Sequence, residues 1–246
     1  MSNRIALITD THIGHPDGDG RDRLSELATK LSTYTDTCLH LGDIIHEVDE
    51  ETDLDNLQFV YGTLSEQFET VYAIPGNHDH PHISREQFTN IFDNTLPEII
   101  TVGGRDFVLL DTAFESTVQN AGYVSADSLS LLEEYTQTAD EYIVASHFPI
   151  NYSTVYRESE FFKQYPEGVF PTNKWFYEQA CVENPPRMSI CGHLHLDEIQ
   201  HTDHEDLGEM VILPPFSNLI PDEPSMVIGS GMIMDTQSLE FSLITI

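Results

Sequence analysis

The sequence predicts an α/β protein whose central sheet starts as a largely parallel one and becomes mixed later in the chain. Short apolar runs alternate with segments of helical periodicity over residues 5–74, and a β-hairpin pattern follows residue 95. In addition, polar residues stand directly after the apolar runs, which is where ligands gather at the carboxyl ends of parallel strands. These observations favour a fold with a functional site at the carboxyl ends of the parallel strands.

The first part of the chain has the pattern of a βαβαβ unit. Apolar runs at 5–8, 37–41 and 71–74 have the length and composition of buried strands. Apolar residues at helical spacing lie between them: Leu24, Leu27, Ala28 and Leu31 in one segment, and Leu54, Leu57, Tyr61, Leu64 and Phe68 in the next. Strands joined through helices are parallel, so we expect these three strands to run in one direction.

The second part of the chain adds strands of mixed direction. Residues 99–102 and 107–111 flank Gly103-Gly104 in a hairpin pattern, and Ser125 precedes a helix that carries Leu129, Leu132 and Tyr135. Further strands are predicted at 142–146, 188–191, 210–213, 226–234 and 239–246, with a polar loop at 201–206. We expect a single domain over residues 1–246, with an aromatic-rich insertion at about 150–177.

Acidic residues far outnumber basic ones. The chain has 42 Asp and Glu residues against 10 Lys and Arg residues, a formal net charge of −32. Molar salt shortens the Debye length to about 3 Å and screens the self-repulsion of such a surface. We therefore expect a halophilic source with a high-salt cytoplasm. The same charge argues against nucleic acid as a partner, because broad phosphate contact uses clustered Lys and Arg.

The cysteines and the hydropathy pattern predict the cellular compartment of the protein. Cys38, Cys181 and Cys191 form neither a CxxC pair nor an even set, so neither a disulfide framework nor a thiolate zinc site is expected. The N-terminus lacks the apolar core of an export signal, and no run approaches about 18 apolar residues. We expect a reducing cytoplasm and no membrane contact.

Potential metal ligands follow the predicted strands. In chain order, the candidates are Asp10, His12, Asp43, Asn77, His147, His193 and His195. In extended backbone, residues i and i+2 face the same way, so Asp10 with His12, and His193 with His195, can converge on one centre. Carboxylates and imidazoles without thiolates suit Mn²⁺, Fe or Zn²⁺, of which we favour Mn²⁺. Seven ligands exceed what one ion usually accepts, so two divalent ions are expected.

Five motifs of the chain resemble those of calcineurin-like metallophosphoesterases. They occur in the family's order between residue 5 and about residue 196: Asp10-x-His12, Gly42-Asp43, Gly76-Asn77-His78-Asp79, His147 and Gly192-His193-x-His195. A single short motif of this kind carries little weight, but five in order are a specific signal. The resemblance implies a four-layer α/β/β/α sandwich of two mixed β-sheets flanked by helices.

The resemblance also implies a role for each motif residue. Asp10, His12 and His195 would hold the first ion, Asp43 would bridge both ions, and Asn77, His147 and His193 would hold the second. A hydroxide bridging the ions would attack phosphorus in line. His78 would donate to a phosphate oxygen and protonate the departing alkoxide, and Asp79 would orient the ring of His78. His80 and His82 are further candidates for the substrate phosphate, whereas we expect Asp111 to make structural hydrogen bonds.

The substrate class is less well determined by the sequence. Residues 107–149 resemble class III cyclic nucleotide phosphodiesterases, although Ser146-His147-Phe148-Pro149 lacks the doubled histidine often found there. This favours a phosphodiesterase acting on a small phosphoester, with a nucleotide as one candidate. The aromatic residues of 150–177 could stack a nucleobase, pack internally, or contact another subunit.

Two other functions remain open at the level of the sequence. Asp10-Thr11-His12-Ile13-Gly14 is similar to the opening motif of double-strand-break repair nucleases, but the chain has no basic groove or added capping domain. A phosphoesterase fold can also be retained as a structural or interaction module. In that case residues 150–177 would contact a larger assembly, cellular or viral. Such modules tend to lose ligands, and this chain keeps all of them.

The acidic composition leads to a prediction about stability. We expect the melting temperature of the protein to rise between dilute buffer and molar KCl, because screening removes repulsion that the folded state concentrates. Thermal unfolding followed by circular dichroism over a KCl series measures this. A melting temperature that stays level or falls would contradict the expectation of a halophilic protein.

Overall fold

The computed structural model describes residues 3–16, 20–116, 121–150, 170–204, 207–218, 226–227 and 229–246. In chain order, the elements are β1 (Arg4–Ile8), α1 (Gly20–Ser32), β2 (Thr37–His40), α2 (Glu50–Ser65), β3 (Thr70–Ala73), α3 (Arg85–Phe92), β4 (Glu98–Val102), β5 (Arg105–Leu109), α4 (Ala126–Thr136), β6 (Tyr142–Ala145), α5 (Lys174–Cys181), β7 (Met188–Cys191), β8 (Gln200–His204), β9 (Gly208–Ile212), β10 (Ser217–Asn218), β11 (Met226–Val227), β12 (Ser230–Asp235) and β13 (Phe241–Thr245).

The first sheet has the strand order β13-β12-β1-β2-β3. Strands β1, β2 and β3 are parallel and are joined through α1 and α2, whereas β12 and β13 run antiparallel at the other side. Helix α1 buries Leu24, Leu27 and Leu31 and packs along β12 and β13. The predicted βαβαβ unit is therefore confirmed, and the sheet that contains it is mixed.

The second sheet has the strand order β4-β5-β6-β7-β9-β8. Its four inner strands are parallel, and the edge strands β4 and β8 are antiparallel to their neighbours. Side chains alternate between the two faces: Phe107 and Ile143 join the core shared with the first sheet, whereas Val108 and Val144 pack with residues of α4 and α5. The predicted sandwich of two mixed sheets flanked by helices is confirmed.

Two local predictions agree with the structure in detail. Gly103 and Gly104 have φ angles of 60° and 83°, as the two-residue turn between β4 and β5 requires. The side chain of Ser125 accepts a hydrogen bond from the backbone N–H of Ser128 and so caps α4.

Other elements differ from the predictions. The prediction of a polar loop at 201–206 is wrong for residues 201–204, because Gln200–His204 forms the edge strand β8. Edge strands are often polar, so such a strand need not show an apolar pattern. The single strand expected at 226–234 is divided into β11 and β12, with Gly229 at a φ of 69° between them. Helix α3 was not predicted, although Ser84 and Gln87 form the capping box that starts it.

The predicted aromatic-rich insertion lies partly outside the described residues, which resume at residue 170. Its last three aromatic residues belong to α5, which was also not predicted. Tyr177 is buried and bonds Ser189 through its hydroxyl, whereas Trp175 and Phe176 are more than half exposed. Among the described residues, no helix combines the length and apolar character needed to cross a membrane.

Candidate metal centre

The two sheets bring the carboxyl ends of their parallel strands to the same end of the sandwich. Asp10 follows β1, and its backbone N–H donates to Gly42 in the segment after β2 (3.0 Å). Across the sheets, the backbone N–H of His193 donates to the carboxylate of Asp10 (3.1 Å). Between neighbouring strands of the second sheet, the backbone N–H of Gly192 donates to the carbonyl of His147 (3.2 Å). Hydrogen bonds from backbone N–H groups therefore hold residues far apart in the chain together at this end.

Six of the seven predicted ligands form two groups within the described part of the chain. The first group contains Asp10, His12, Asp43 and His195, and the second contains Asp43, His147 and His193. In each group the potential ligand atoms lie within 4.8 Å of one another, and Asp43 belongs to both. This division is the one that the resemblance implied for two ions.

The spacing of the ligand atoms suits divalent cations. Nε2 of His195 lies 3.2 Å from Oδ1 of Asp10 and 3.2 Å from Nε2 of His12. Nε2 of His147 lies 3.2 Å from Oδ2 of Asp43. Adjacent ligand atoms around an ion with bonds of about 2.1 Å at right angles are about 3 Å apart. The side chains therefore already have the separation that shared coordination requires.

Two buried atoms support the same interpretation. Oδ1 of Asn77, the seventh predicted ligand, and Nε2 of His147 are buried and make no aligned hydrogen bond within the described structure. Nδ1 of His147 donates to the carbonyl of Leu41 (2.8 Å), so Nε2 is the nitrogen that faces the site. Burial lowers the pKa of His147, but the Asp43 carboxylate outweighs it and raises that pKa to about 9, so metal binding at Nε2 would displace a proton. A buried polar atom without a partner costs about 1–3 kcal/mol, and a bound cation would remove that cost. The residues present therefore fit a pair of metal ions.

The backbone at the ligands is left-handed rather than extended. Five of the seven ligands have positive φ, between 45° and 70°: Asp10, His12, Asp43, His193 and His195. Asp10 and His12 lie in one ligand group as predicted, but left-handed rather than extended backbone places them there. His193 and His195, for which the same convergence was predicted, lie in different groups. Non-glycine residues in this region cost of order 1–3 kcal/mol each and cluster at functional sites.

Two motif glycines allow the main chain to approach the ligands. A Cβ atom at Gly76 would overlap Oδ1 of Asp43, and one at Gly192 would overlap the Thr9 hydroxyl and crowd the Asp10 carboxylate. Thr9 in turn donates to Oδ2 of Asp10 (2.6 Å). Any larger residue at either glycine would push a ligand out of position.

Burial and neighbouring charges shift the pKa values in opposite directions. Burial disfavours ionised Asp43, but the imidazoles of His147 and His78 outweigh it and hold the pKa of Asp43 well below its usual range. Burial, reinforced by His78, keeps the pKa of His12 well below that of an ordinary histidine. A negative Asp43 and a neutral His12 are the forms in which these side chains bind metal.

His78 is paired with a carboxylate that was not predicted. Its Nδ1 contacts Oε2 of Glu47, and its Nε2 lies 4.0 Å from Oδ2 of Asp43. Burial lowers the pKa of His78, but the carboxylates of Asp43 and Glu47 outweigh it and raise that pKa to about 9. Glu47 lies 31 residues before His78 in the chain, so no local sequence signal pairs the two side chains.

Nδ1 of His78 is paired with Glu47, whereas Asp79, which was predicted to orient this ring, bonds backbone amides. Its Oδ1 accepts the backbone N–H groups of Ile44 (2.9 Å) and Ile45 (3.1 Å), and its Oδ2 accepts that of Gly76 (2.8 Å). Burial and the Asp43 carboxylate raise the pKa of Asp79 to about 7, and the amide donors oppose that rise. Asp79 thus joins the loop after β2 to the loop after β3.

Other histidines surround the candidate centre. The ring of His46 is stacked at 5.8 Å on that of His78, and the ring of His15 contacts His46 at 4.5 Å. His82 bonds the buried Asp53 of α2 (2.8 Å), whereas His80 is partly buried beside Phe114. The structure thus gives His82 a structural partner and places His46, which was not predicted, beside the proposed proton donor.

Asp111 has the structural role that the sequence predicted. It is buried, its Oδ1 accepts the backbone N–H groups of Ala113 (2.9 Å) and Phe114 (3.0 Å), and its Oδ2 pairs with Arg85. It belongs to none of the three groups of described side chains that could hold a metal ion, the third of which contains His12, His46 and His78.

The bonds of Asp79 lead to a stability prediction. The raised pKa of Asp79 means that ionisation of its carboxyl group destabilises the fold, whereas its hydrogen bonds to backbone amides stabilise it. The parent should therefore lose stability relative to Asp79→Asn as the pH rises from about 4 to above 7, because only the parent buries a new charge over that range. Urea unfolding of the metal-free proteins over this pH range measures the difference. The control Asp235→Asn alters a carboxylate that accepts the backbone N–H groups of Gln237 and Ser238 in an exposed turn, so it should not remove this loss. The same pH dependence in Asp79→Asn and the parent would contradict the prediction.

Comparisons with solved structures agree with the fold. Solved structures of similar fold include a dimetal phosphatase from Danio rerio, with a TM-score of 0.68, 15% identity and coverage of 98% of both chains. They also include a hypothetical protein from Thermus thermophilus, with a TM-score of 0.52, 12% identity and coverage of 99% of this chain and 98% of the other. At these identities, the likeness shows the fold alone.

Sequence comparison identifies the family. A search of curated protein sequences finds no match. The family model for calcineurin-like phosphoesterases, however, matches residues 3–197, a range that contains all the candidate ligands. The chain therefore belongs to the calcineurin-like phosphoesterase family.

Proposed function

We propose that this protein is a dinuclear metal-dependent phosphoesterase that hydrolyses a small phosphoester, with a phosphodiester favoured over a phosphomonoester. The observation that carries the proposal is the pair of ligand groups that share the buried Asp43. The family and the similarity in fold to a protein described as a dimetal phosphatase support it.

The ligand chemistry indicates which ions the site takes. Asp10, His12 and His195 would hold the first ion and Asn77, His147 and His193 the second, with Asp43 between them. A mixture of carboxylate, amide and imidazole ligands without thiolates suits Mn²⁺, Fe or Zn²⁺, and Mn²⁺ is our first choice. When bound, the two ions would polarise a phosphoryl group and lower the pKa of a water molecule.

The protein's own side chains supply proton transfer. Glu47 holds Nδ1 of His78, so Nε2 is directed toward the metal ligands, as its 4.0 Å separation from Asp43 shows. From that position His78 would donate to a phosphoryl oxygen and protonate the leaving alkoxide. Glu47 would fix the orientation of the ring and stabilise its positive charge, a role that the sequence had suggested for Asp79.

The pairing of His78 and Glu47 predicts separate effects on turnover and metal content. We expect His78→Asn to lower kcat by about 10²–10⁴, the usual contribution of a positioned acid, while two metal ions remain bound. Glu47→Gln should cause a smaller loss, because the ring stays in place but its charge is less stabilised. Hydrolysis of a chromogenic phosphodiester in Mn²⁺ and molar KCl, with elemental analysis of each variant, provides the measurement.

His201→Asn is a matched control for these variants, since His201 also pairs with a glutamate, Glu209, but at the exposed edge of the second sheet. It should retain parental kcat. A His78→Asn variant with parental kcat, or one that loses its metals, would contradict the assignment of His78 as proton donor.

A substrate panel separates this function from the alternatives. We expect faster hydrolysis of a chromogenic phosphodiester and of cyclic nucleotides than of single-stranded DNA, because a net charge of −32 disfavours a long polyanion. All substrates should be compared at one KCl concentration, with a phosphomonoester included. Preferred cleavage of DNA would indicate the repair-type nuclease instead, and two bound metals without hydrolysis of any ester would indicate an interaction module.

A further inference from the structure

The ring of Phe148 packs against both imidazoles of the second ligand group. Its side chain is fully buried, and its ring centroid lies 5.2 Å from that of His147 and 4.2 Å from that of His193. The ring is edge-on to His147 at 88° and tilted by 42° against His193. The two histidine rings also contact each other, at 5.0 Å. One aromatic side chain therefore touches both nitrogen ligands proposed for the second ion.

The surroundings of Phe148 leave its ring little freedom. A Cβ atom on Gly122 would lie 2.6 Å from the ring, so the main chain at Gly122 is in close contact with one face. The carbonyl of Phe148 accepts a hydrogen bond from the Ser146 hydroxyl (2.8 Å), which fixes the backbone on either side of His147. A ring held in this way can limit the rotation of the histidines that rest against it.

The two ligand groups are held by different kinds of contact. In the first group, the Asp10 carboxylate contacts His195 at 3.2 Å, the Thr9 hydroxyl at 2.6 Å and a backbone amide. In the second group, His147 is oriented through its bond to Leu41, while the ring of His193 lies against Phe148. The apolar ring of Phe148 therefore helps to hold the second group. The contacts described for the first group are polar.

We propose that Phe148 is a positioning residue for the second metal ion. Phe148 would fix the ring planes of His147 and His193 and so preorganise the site for that ion. The affinity of the site for the second ion would then depend on a side chain that is not itself a ligand. This inference rests on the proposed dinuclear centre.

An ordinary core residue would behave differently from a positioning residue. Loss of packing alone lowers global stability and should weaken both ions to a similar, small extent. Loss of ligand positioning should weaken the second ion selectively, since residues that support metal ligands typically contribute 10- to 100-fold in metal affinity.

The test compares Phe148→Leu with the parent in a titration of the metal-free protein with Mn²⁺. We expect the parent to bind two ions, and Phe148→Leu to keep parental affinity for the first ion while the second binds at least about tenfold more weakly. Calorimetry gives the two dissociation constants. Electron paramagnetic resonance shows whether the two-ion spectrum of an exchange-coupled Mn²⁺ pair is replaced by that of isolated Mn²⁺. Phe148→Met provides a second variant should the leucine variant fold poorly.

Phe88→Leu is the matched control, because Phe88 is also fully buried but packs on Phe92 in α3. It should lose stability and keep both ions. Equal weakening of both ions in Phe148→Leu, or parental affinity for the second ion, overturns the inference. A parental protein that binds fewer than two ions would instead refute the proposed dinuclear centre, and the inference with it. Two bound ions without any hydrolysis would refute only the enzymatic function, and the role of Phe148 would stand.

Discussion

Two carboxylates, Asp10 and Asp43, are buried beside each other where the two sheets meet, and the rest of the candidate centre depends on this arrangement. Burying a charge costs several kcal/mol unless it is compensated, and two like charges increase that cost. Imidazoles at 3.2 Å from each carboxylate and backbone amides provide part of the compensation. A pair of cations would provide the rest. The left-handed ligand residues and the close glycines can be understood as the means by which the chain holds this otherwise unfavourable cluster.

The loops after β2 and β3 form one unit around this cluster. Asp79 accepts amide donors from both loops, and the backbone N–H of His78 donates to Oδ1 of Asp43 at 2.9 Å. Glu47, on the first loop, reaches the ring of His78 on the second. The two acidic residues near His78 therefore have different contacts. Asp79 joins the main chains of the two loops, whereas Glu47 holds the imidazole ring of His78. A carboxylate next to a histidine in sequence is therefore no guide to its partner in space.

The net charge of −32 has opposite consequences for the two reactants that the proposed function requires. An acidic surface raises the local concentration of divalent cations and lowers that of an anionic phosphoester. At low ionic strength these effects extend about 30 Å, whereas at molar salt they are confined to about 3 Å. The expectation of a high-salt environment fits the proposed function, because at molar salt an anionic substrate would approach the site without crossing a long-range repulsive field. Salt screens buried charges much less than exposed ones, so the interactions among the buried side chains of the candidate centre change little between the two conditions.

The sequence by itself determined the alternation of strands and helices, the hairpin glycines, the cap of α4 and the identity of the candidate ligands. These features are local, because periodicity, turn chemistry and short motifs are readable over a few residues. Only the tertiary structure decided that β8 is an edge strand, that left-handed backbone turns the ligands inward, and that Glu47 rather than Asp79 pairs with His78. Each of these depends on contacts between segments distant in the chain, or on φ angles imposed by such contacts. Residue order carries no direct record of that geometry.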